Sequence, residues 1–136
     1  MMKSEIEIKV RGYHLDIFAH VNNARYVEFL EEGRWAALED SDIAKKIIDS
    51  GQAFIVVNIN IDYLKPAMLN DLLVLRTNLK KIGNKSITLT QEIFRKKANE
   101  LEIKIVSAEV VFVLVDMKTN KAVVVNDEIR GLFNKG

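Results

Sequence analysis

The sequence predicts an α+β fold, with one long helix laid against an antiparallel sheet of five to six strands. Three observations carry this. A strictly alternating segment opens the chain, a long stretch of helical period follows, and after Gly51 the pattern returns to strand-like runs separated by turn residues. One helix can cover one face of such a sheet but not both, which makes the α+β arrangement the natural solution.

The first strand is Glu5 to Val10, where Ile6, Ile8 and Val10 face one way and Glu5, Glu7 and Lys9 the other. The next segment, "RGYHLDIFAH", has no period and reads as a loop. From Asn23 a helix begins, with Tyr26, Phe29, Leu30, Gly33, Ala36 and Ala37 on its inward side and Glu28, Glu32 and Glu39 opposite. Asn22 is its N-cap candidate, because the side chain can accept from the first free helix N–H groups. Gly33, Ala36 and Ala37 suit a helix lying close in the concave face of a curved sheet. A shorter helical piece, "IAKKII", is bracketed by "EDSD" and "DSG".

Ala53 to Tyr63 reads as a strand, ended by "LKPAMLND" with the chain's one proline, Pro66. Leu72 to Lys81 and Lys85 to Arg95 form a hairpin around Gly83-Asn84. Glu102 to Val115 is a long strand, and "DMKTNK" turns it back into a further strand, Lys121 to Val125. A short helix over Asp127 to Phe133 closes the chain.

Composition narrows the function. A chain of 136 residues, 49% hydrophobic and 29% charged, is expected to form one globular domain over residues 1–136. Its 20 basic and 19 acidic residues are interspersed and form no basic stripe, which argues against a nucleic-acid partner. The absence of cysteine excludes disulfides, thiolate nucleophiles and zinc ribbons. The start "MMKSEIEIKV" has no apolar signal core, and no apolar run approaches the ~18 residues of a membrane span. A cytoplasmic protein without a membrane span is expected. The segment "IKIVSAEVVFVLV" is apolar on both strand faces, which points to a partner subunit and a homo-oligomer.

Groups able to do proton chemistry gather in "HLDIFAHVNNARYVEF", which holds both histidines. Asp16 is the sole carboxylate between Glu7 and Glu28. Shortly after it begins a helix whose first N–H groups lack intrahelical acceptors and sit at the positive end of the helix dipole. A carboxylate and free N–H donors can be two halves of an acyl-transfer site. The donors hold a carbonyl oxygen as it gains charge, and the carboxylate attacks the carbon or activates a water. Plainer readings compete. Asp16 can simply make a turn bond, His20 can pack, Asn22 can cap, and Tyr26 and Trp35 can serve as packing. Glu28, Glu31 and Glu32 read as a solvated helix face. Spacing alone favours the plainer set.

The stretch "RGYHLDIFAHVNNARYVEFLEEGRW", followed by "FIVVNINIDYLKPAMLNDLLVLRT", resembles the hotdog-fold acyl-CoA thioesterases. Within them it is similar to the 4-hydroxybenzoyl-CoA thioesterase-like branch, most of all to the bacterial long-chain acyl-CoA thioesterases of fatty-acid degradation. The likeness is most specific in Asp16, in the run His20 to Tyr26, and in Tyr63 to Asp71. It departs at Ala19, where many relatives carry glycine. The resemblance implies a long helix wrapped by the sheet, dimers that join two sheets into one with active sites at their interface, and frequent tetramers. It implies Asp16 as the catalytic carboxylate and the backbone N–H of Asn23 or a neighbour as the carbonyl-polarising donor. His20, Asn22 and Tyr26 become site-lining residues. Lys65 and Lys85 become candidates for the phosphates of coenzyme A, and Pro66 and Asp71 keep a plain turn-shaping reading.

The function so implied is hydrolysis of a medium- to long-chain acyl-CoA to a free fatty acid and coenzyme A. Water is the second substrate, with no metal and no organic cofactor. Whether Asp16 acts as base or nucleophile stays open, and Phe18, Phe29 and Phe54 are candidates for the acyl tunnel. The alternatives are a thioesterase for acyl-carrier-protein thioesters and a non-catalytic acyl-CoA-binding protein. Dehydration of hydroxyacyl thioesters fits less well, because it calls for a different local motif.

Overall fold

The computed structural model describes residues 2–135. Strand β1 (Lys3–Lys9) is followed by a short 3-10 turn at Gly12–His14, helix α1 (Asn23–Glu39) and helix α2 (Ile43–Asp49). Strands β2 (Gln52–Tyr63), β3 (Leu72–Ile82), β4 (Ser86–Lys96) and β5 (Ile103–Asp116) come next, and helix α3 (Asp127–Lys135) closes the chain. The strands form one antiparallel sheet of five in the order β1-β3-β4-β5-β2.

Each element follows from its sequence. In β1 the alternation turns Ile6 and Ile8 inward and leaves the charged residues in solvent. Helix α1 buries Tyr26, Phe29, Leu30, Gly33 and Ala37. Its N-terminus is capped as expected, Asn22 Oδ1 accepting from the Ala24 N–H at 2.9 Å. At the other end the Ser41 hydroxyl donates to the Ala37 and Leu38 carbonyls, which α1 leaves unsatisfied.

The expected strand at Lys121 to Val125 does not form. Only Ala122 bridges to Val115. The Val125 N–H instead donates to Asn84 O in the β3–β4 turn, and Arg130 reaches Gly83 O of the same turn at 2.7 Å. These acceptors draw the segment off β5 and deliver it into α3, so the sheet stops at five strands.

The seat of α1 is its closest approach to the sheet, at Gly33. A Cβ there would stand 3.0 Å from both Gln91 Nε2 and Thr77 Oγ1, with Leu75 Cδ2 nearer still. Thr77 and Gln91 are cross-strand partners on β3 and β4, both fully buried. Gln91 Nε2 donates to the Leu30 carbonyl at 2.8 Å and to Thr77 Oγ1 at 2.9 Å, while its Oε1 accepts from Arg34 at 3.1 Å. This satisfied polar seam lies between two apolar clusters. One gathers Ala37, Ile43, Ile47, Leu89, Phe112 and Phe133 around α2 and α3. The other gathers Val21, Tyr26, Leu30, Ala67, Leu75 and Ile93 at the start of α1.

Substituting Gly33→Ala therefore pits a gain in helix propensity of about 1 kcal/mol against overpacking of about 1–3 kcal/mol at the seam. Urea denaturation should show a net loss. Gly131→Ala on the exposed side of α3, where an added Cβ meets nothing within 4 Å, should show a gain instead.

Candidate active site

The loop before α1 is organised by its own polar groups. Asp16 Oδ1 accepts the Phe18 N–H at 2.9 Å and, at a longer 3.4 Å, the His20 N–H. The Asp16 N–H donates to the His20 carbonyl at 2.9 Å, closing a tight loop. Between them Ala19 adopts φ 60°, the left-handed conformation that glycine takes freely and that costs an L-residue about 1–2 kcal/mol. The departure from glycine thus falls where glycine has a physical advantage, and the geometry persists with alanine. The turn-forming reading of Asp16 is realised. It uses one carboxylate oxygen and leaves Oδ2 without a hydrogen bond among the described residues.

That loop is tied to the connection between β2 and β3. His20 bridges to Met68, and the Val21 N–H donates to the Ala67 carbonyl at 2.9 Å. The connection is shaped as its sequence suggests, with Asp71 Oδ2 accepting from the Met68 N–H at 2.9 Å. Between loop and connection lies a cavity of about 440 Å³. Asp16, His20, Asn23 and Tyr26 line it from the loop and α1, and Tyr63, Lys65 and Pro66 line it from the end of β2 and beyond.

The donors at the start of α1 are divided. Asn22 takes the N–H groups of Ala24 and Arg25 with its side chain and carbonyl. The Asn23 N–H finds no acceptor among the described residues. A free N–H at the positive end of a helix is suited to a developing oxyanion. Tyr26 does more than line the cavity. Its hydroxyl oxygen accepts from the Ala67 N–H at 3.0 Å and so fixes the connection. Burial raises its pKa above the ordinary value, an effect partly offset by the Ala67 bond, so the phenol stays protonated with its own O–H left to donate.

Asp16, Asn23, His20, Tyr26 and Lys65 are thus brought together. Five other candidates are not. Asn22 is turned to the helix as its cap and does not line the cavity. Lys85 sits beside the β3–β4 turn, at the opposite end of an eleven-residue strand from the connection that borders the cavity. Of the tunnel aromatics, Phe18 projects into solvent and Phe29 is packed in the core edge-on to His14 and Tyr26. Phe54 alone of the three lines an apolar groove, one remote from this loop. Tyr63 opens the Tyr63 to Asp71 stretch that carries the resemblance, but sequence reasoning gave it no role in the site. Its hydroxyl donates to Asn23 O at 3.0 Å and its ring lies 5.6 Å from that of Tyr26. The signal was its place as the last aromatic of a strand, just before the break at "LKPAMLND".

A long helix laid against a five-stranded antiparallel sheet is the architecture of the hotdog class of thioester hydrolases. The chain belongs to the thioesterase-like superfamily, which it matches over residues 10–133. It is 46% identical over 126 residues to the long-chain acyl-CoA thioesterase FadM of Escherichia coli, covering 93% of each chain. The crystal structure of YbaW, a probable thioesterase from Escherichia coli, superposes with a TM-score of 0.86 at 45% identity over 94% of both chains. A mutant 4-hydroxybenzoyl CoA thioesterase complexed with 4-hydroxybenzoyl CoA shares the fold, with a TM-score of 0.88 at 14% identity over 98% of this chain and 99% of that one.

The two histidines part company. His14 is buried, and its Nδ1 accepts the Arg11 N–H at 2.9 Å. Desolvation, then Arg25, holds its pKa below the ordinary 6.5, with Glu28 opposing. The unfolded chain therefore binds this proton more readily than the folded one. The stability tied to neutral His14 is full above about pH 6.5 and declines as the pH falls below it. His14→Asn, which keeps an acceptor without the titration, should flatten the fall in urea midpoint between about pH 6.5 and 5.

Proposed function

We propose that the protein hydrolyses the thioester of medium- to long-chain acyl-CoA, releasing a free fatty acid and coenzyme A. The observation that carries this reading is that Asp16, with one carboxylate oxygen free, and Asn23, with an unpartnered N–H, line one cavity. The thioester carbonyl oxygen lies against the Asn23 N–H, where the helix start stabilises the charge it acquires. Asp16 Oδ2 either takes a proton from an attacking water or attacks the carbonyl carbon itself. In the first route the water oxygen bonds to the carbonyl carbon as the C–S bond breaks, and coenzyme A leaves as its thiolate. In the second the thiolate leaves behind a mixed anhydride on Asp16, which a water then hydrolyses to the acid and the free carboxylate. Water is the only co-reactant, and neither a metal nor an organic cofactor takes part.

His20 lines this site. Tyr63, by holding the Asn23 carbonyl, positions the first turn of α1. Lys65 at the rim offers an ammonium to the phosphates of coenzyme A, and Lys85 can serve only across a subunit boundary. The protein acts as a homodimer or a dimer of dimers. Supporting this, the outer edge of β2 has no strand partner among the described residues and carries Ile55, Val56 and Val57, exposed by 47%, 43% and 56%. An open apolar edge is a template for a second strand.

Release of coenzyme A from a panel of acyl-CoAs, read with a thiol reagent, tests the activity directly, since the chain has no cysteine of its own. Asp16→Asn keeps the turn bonds and should lower kcat by about 10²–10⁴-fold. A folded variant turning over at the parent rate would remove Asp16 from the chemistry. Far faster hydrolysis of acyl-carrier-protein thioesters would reassign the substrate, and no release from any thioester would leave a binding protein. Analytical ultracentrifugation at micromolar concentration should find a dimer or tetramer. A fully active monomer would sink the assembly.

A further inference from the structure

The loop that carries Asp16 folds back on itself, and its two ends are held by different residues. Leu15 bridges to Val21 at its middle. On one side of that bridge the Asp16 N–H donates to the His20 carbonyl, and on the other the Asn22 N–H donates to the His14 carbonyl, each at 2.9 Å. The second bond decides which helix donor is left over. His14 O takes the Asn22 N–H, and Asn22 takes those of Ala24 and Arg25, so the N–H left without an acceptor among the described residues is that of Asn23. His14 therefore stands at the root of both halves of the site. It is two residues from the carboxylate and one hydrogen bond from the helix start.

The His14 ring fixes that root. Its Nδ1 accepts the Arg11 N–H at 2.9 Å, closing the turn Gly12–His14 just beyond β1. The imidazole stands edge-on to Phe29 of α1, with centroids 5.0 Å apart, and to Tyr13 at 4.3 Å. One side chain thus spans from the exit of β1 to α1. We propose that His14 is a positioning residue for the thioester chemistry, its ring locking the Asp16 loop against α1 so that the carboxylate and the Asn23 N–H keep one spacing. The proposal rests on the hydrolytic reading of Asp16 and Asn23, and adds a side chain that lies outside their cavity. The lock is sensitive to acid, because Nδ1 accepts only while unprotonated. The ring borders a separate cavity of about 380 Å³, where α1 contributes Arg25, Glu28 and Glu32, β1 contributes only Ile8, and the turn contributes Tyr13. Burial, then Arg25 and Arg11, disfavour the charged ring, with Glu28 opposing, so it charges below pH 6.5. Turnover should be full above that pH and decline below it as the Arg11 bond is released.

Two substitutions separate the lock from ordinary packing. His14→Phe keeps an aromatic ring but cannot accept the Arg11 N–H, whereas His14→Asn keeps an acceptor near the Nδ1 position and cannot titrate. Misplacing reacting groups by about 1 Å costs on the order of 10²-fold, so His14→Phe should lower kcat by about 10–100-fold at pH 8. Binding of an inert S-alkyl-CoA thioether should stay near the parent value. His14→Asn should recover most of the lost kcat and show a shallower decline between about pH 6.5 and 5 than the parent. Amide hydrogen exchange reads the same lock without turnover: the Asn22 N–H should lose protection in His14→Phe and keep it in His14→Asn. A parental kcat in folded His14→Phe overturns the proposal, as does a loss that His14→Asn fails to recover. Where His14→Phe does not fold, identical pH profiles for the parent and His14→Asn overturn it. A parent that hydrolyses no thioester sinks the catalytic reading instead, and Asn22 exchange still decides whether the ring holds the loop.

Discussion

The closest approach of α1 to the sheet, at Gly33 over the Thr77–Gln91 pair, sets the depth at which the helix lies. With no Cβ between them, the Gln91 amide reaches the Leu30 carbonyl, and helix and sheet are joined by hydrogen bonds as well as by packing. Such a buried network contributes only when every member is satisfied, and here Gln91, Thr77 and Arg34 satisfy one another. A shallower helix would lift the Asn23 N–H away from the Asp16 loop. The height of the helix start over that loop thus follows from this one contact.

At the start of α1 the backbone is held from several directions. Asn22 caps it, Tyr63 grips the Asn23 carbonyl, and Tyr26 fastens the β2–β3 connection beneath it. The loop bearing Asp16 keeps its shape through the carboxylate itself, which spends one oxygen on backbone N–H groups and keeps the other. A side chain that folds its own loop has few orientations open to it. Positioning of this kind is what a general base or nucleophile requires, because the reacting atoms must be aligned before the barrier is reached.

Much of this was legible in the sequence. Alternation in β1, the helical period from Asn23 and the cap at Asn22 depend on local spacing, and each lies where its pattern puts it. That Asp16 and Asn23 border one cavity was legible because loop and helix start are neighbours in the chain. The segment Lys121 to Val125 was misread because its apolar pattern is strand-like, while the acceptors that redirect it, Asn84 and Gly83, are far away in sequence. The distance of Lys85 from the cavity was hidden for the same reason, since the chain order does not tell which end of a hairpin borders it. The apolar groove draws on α1, α2 and the start of β2 together, and no single stretch announces it.

The polar seam has a consequence for how such a protein can change. It separates a core cluster beneath the start of α1, with Val21, Tyr26 and Ala67, from one around α2 and α3, with Ile43, Ile47 and Phe54. Substitutions that share no neighbours tend to add rather than couple. Descendants of this chain can therefore repack the core around α2 by ordinary drift while the loop and the start of α1 keep their geometry. The division in the core makes the two ends of α1 separately heritable.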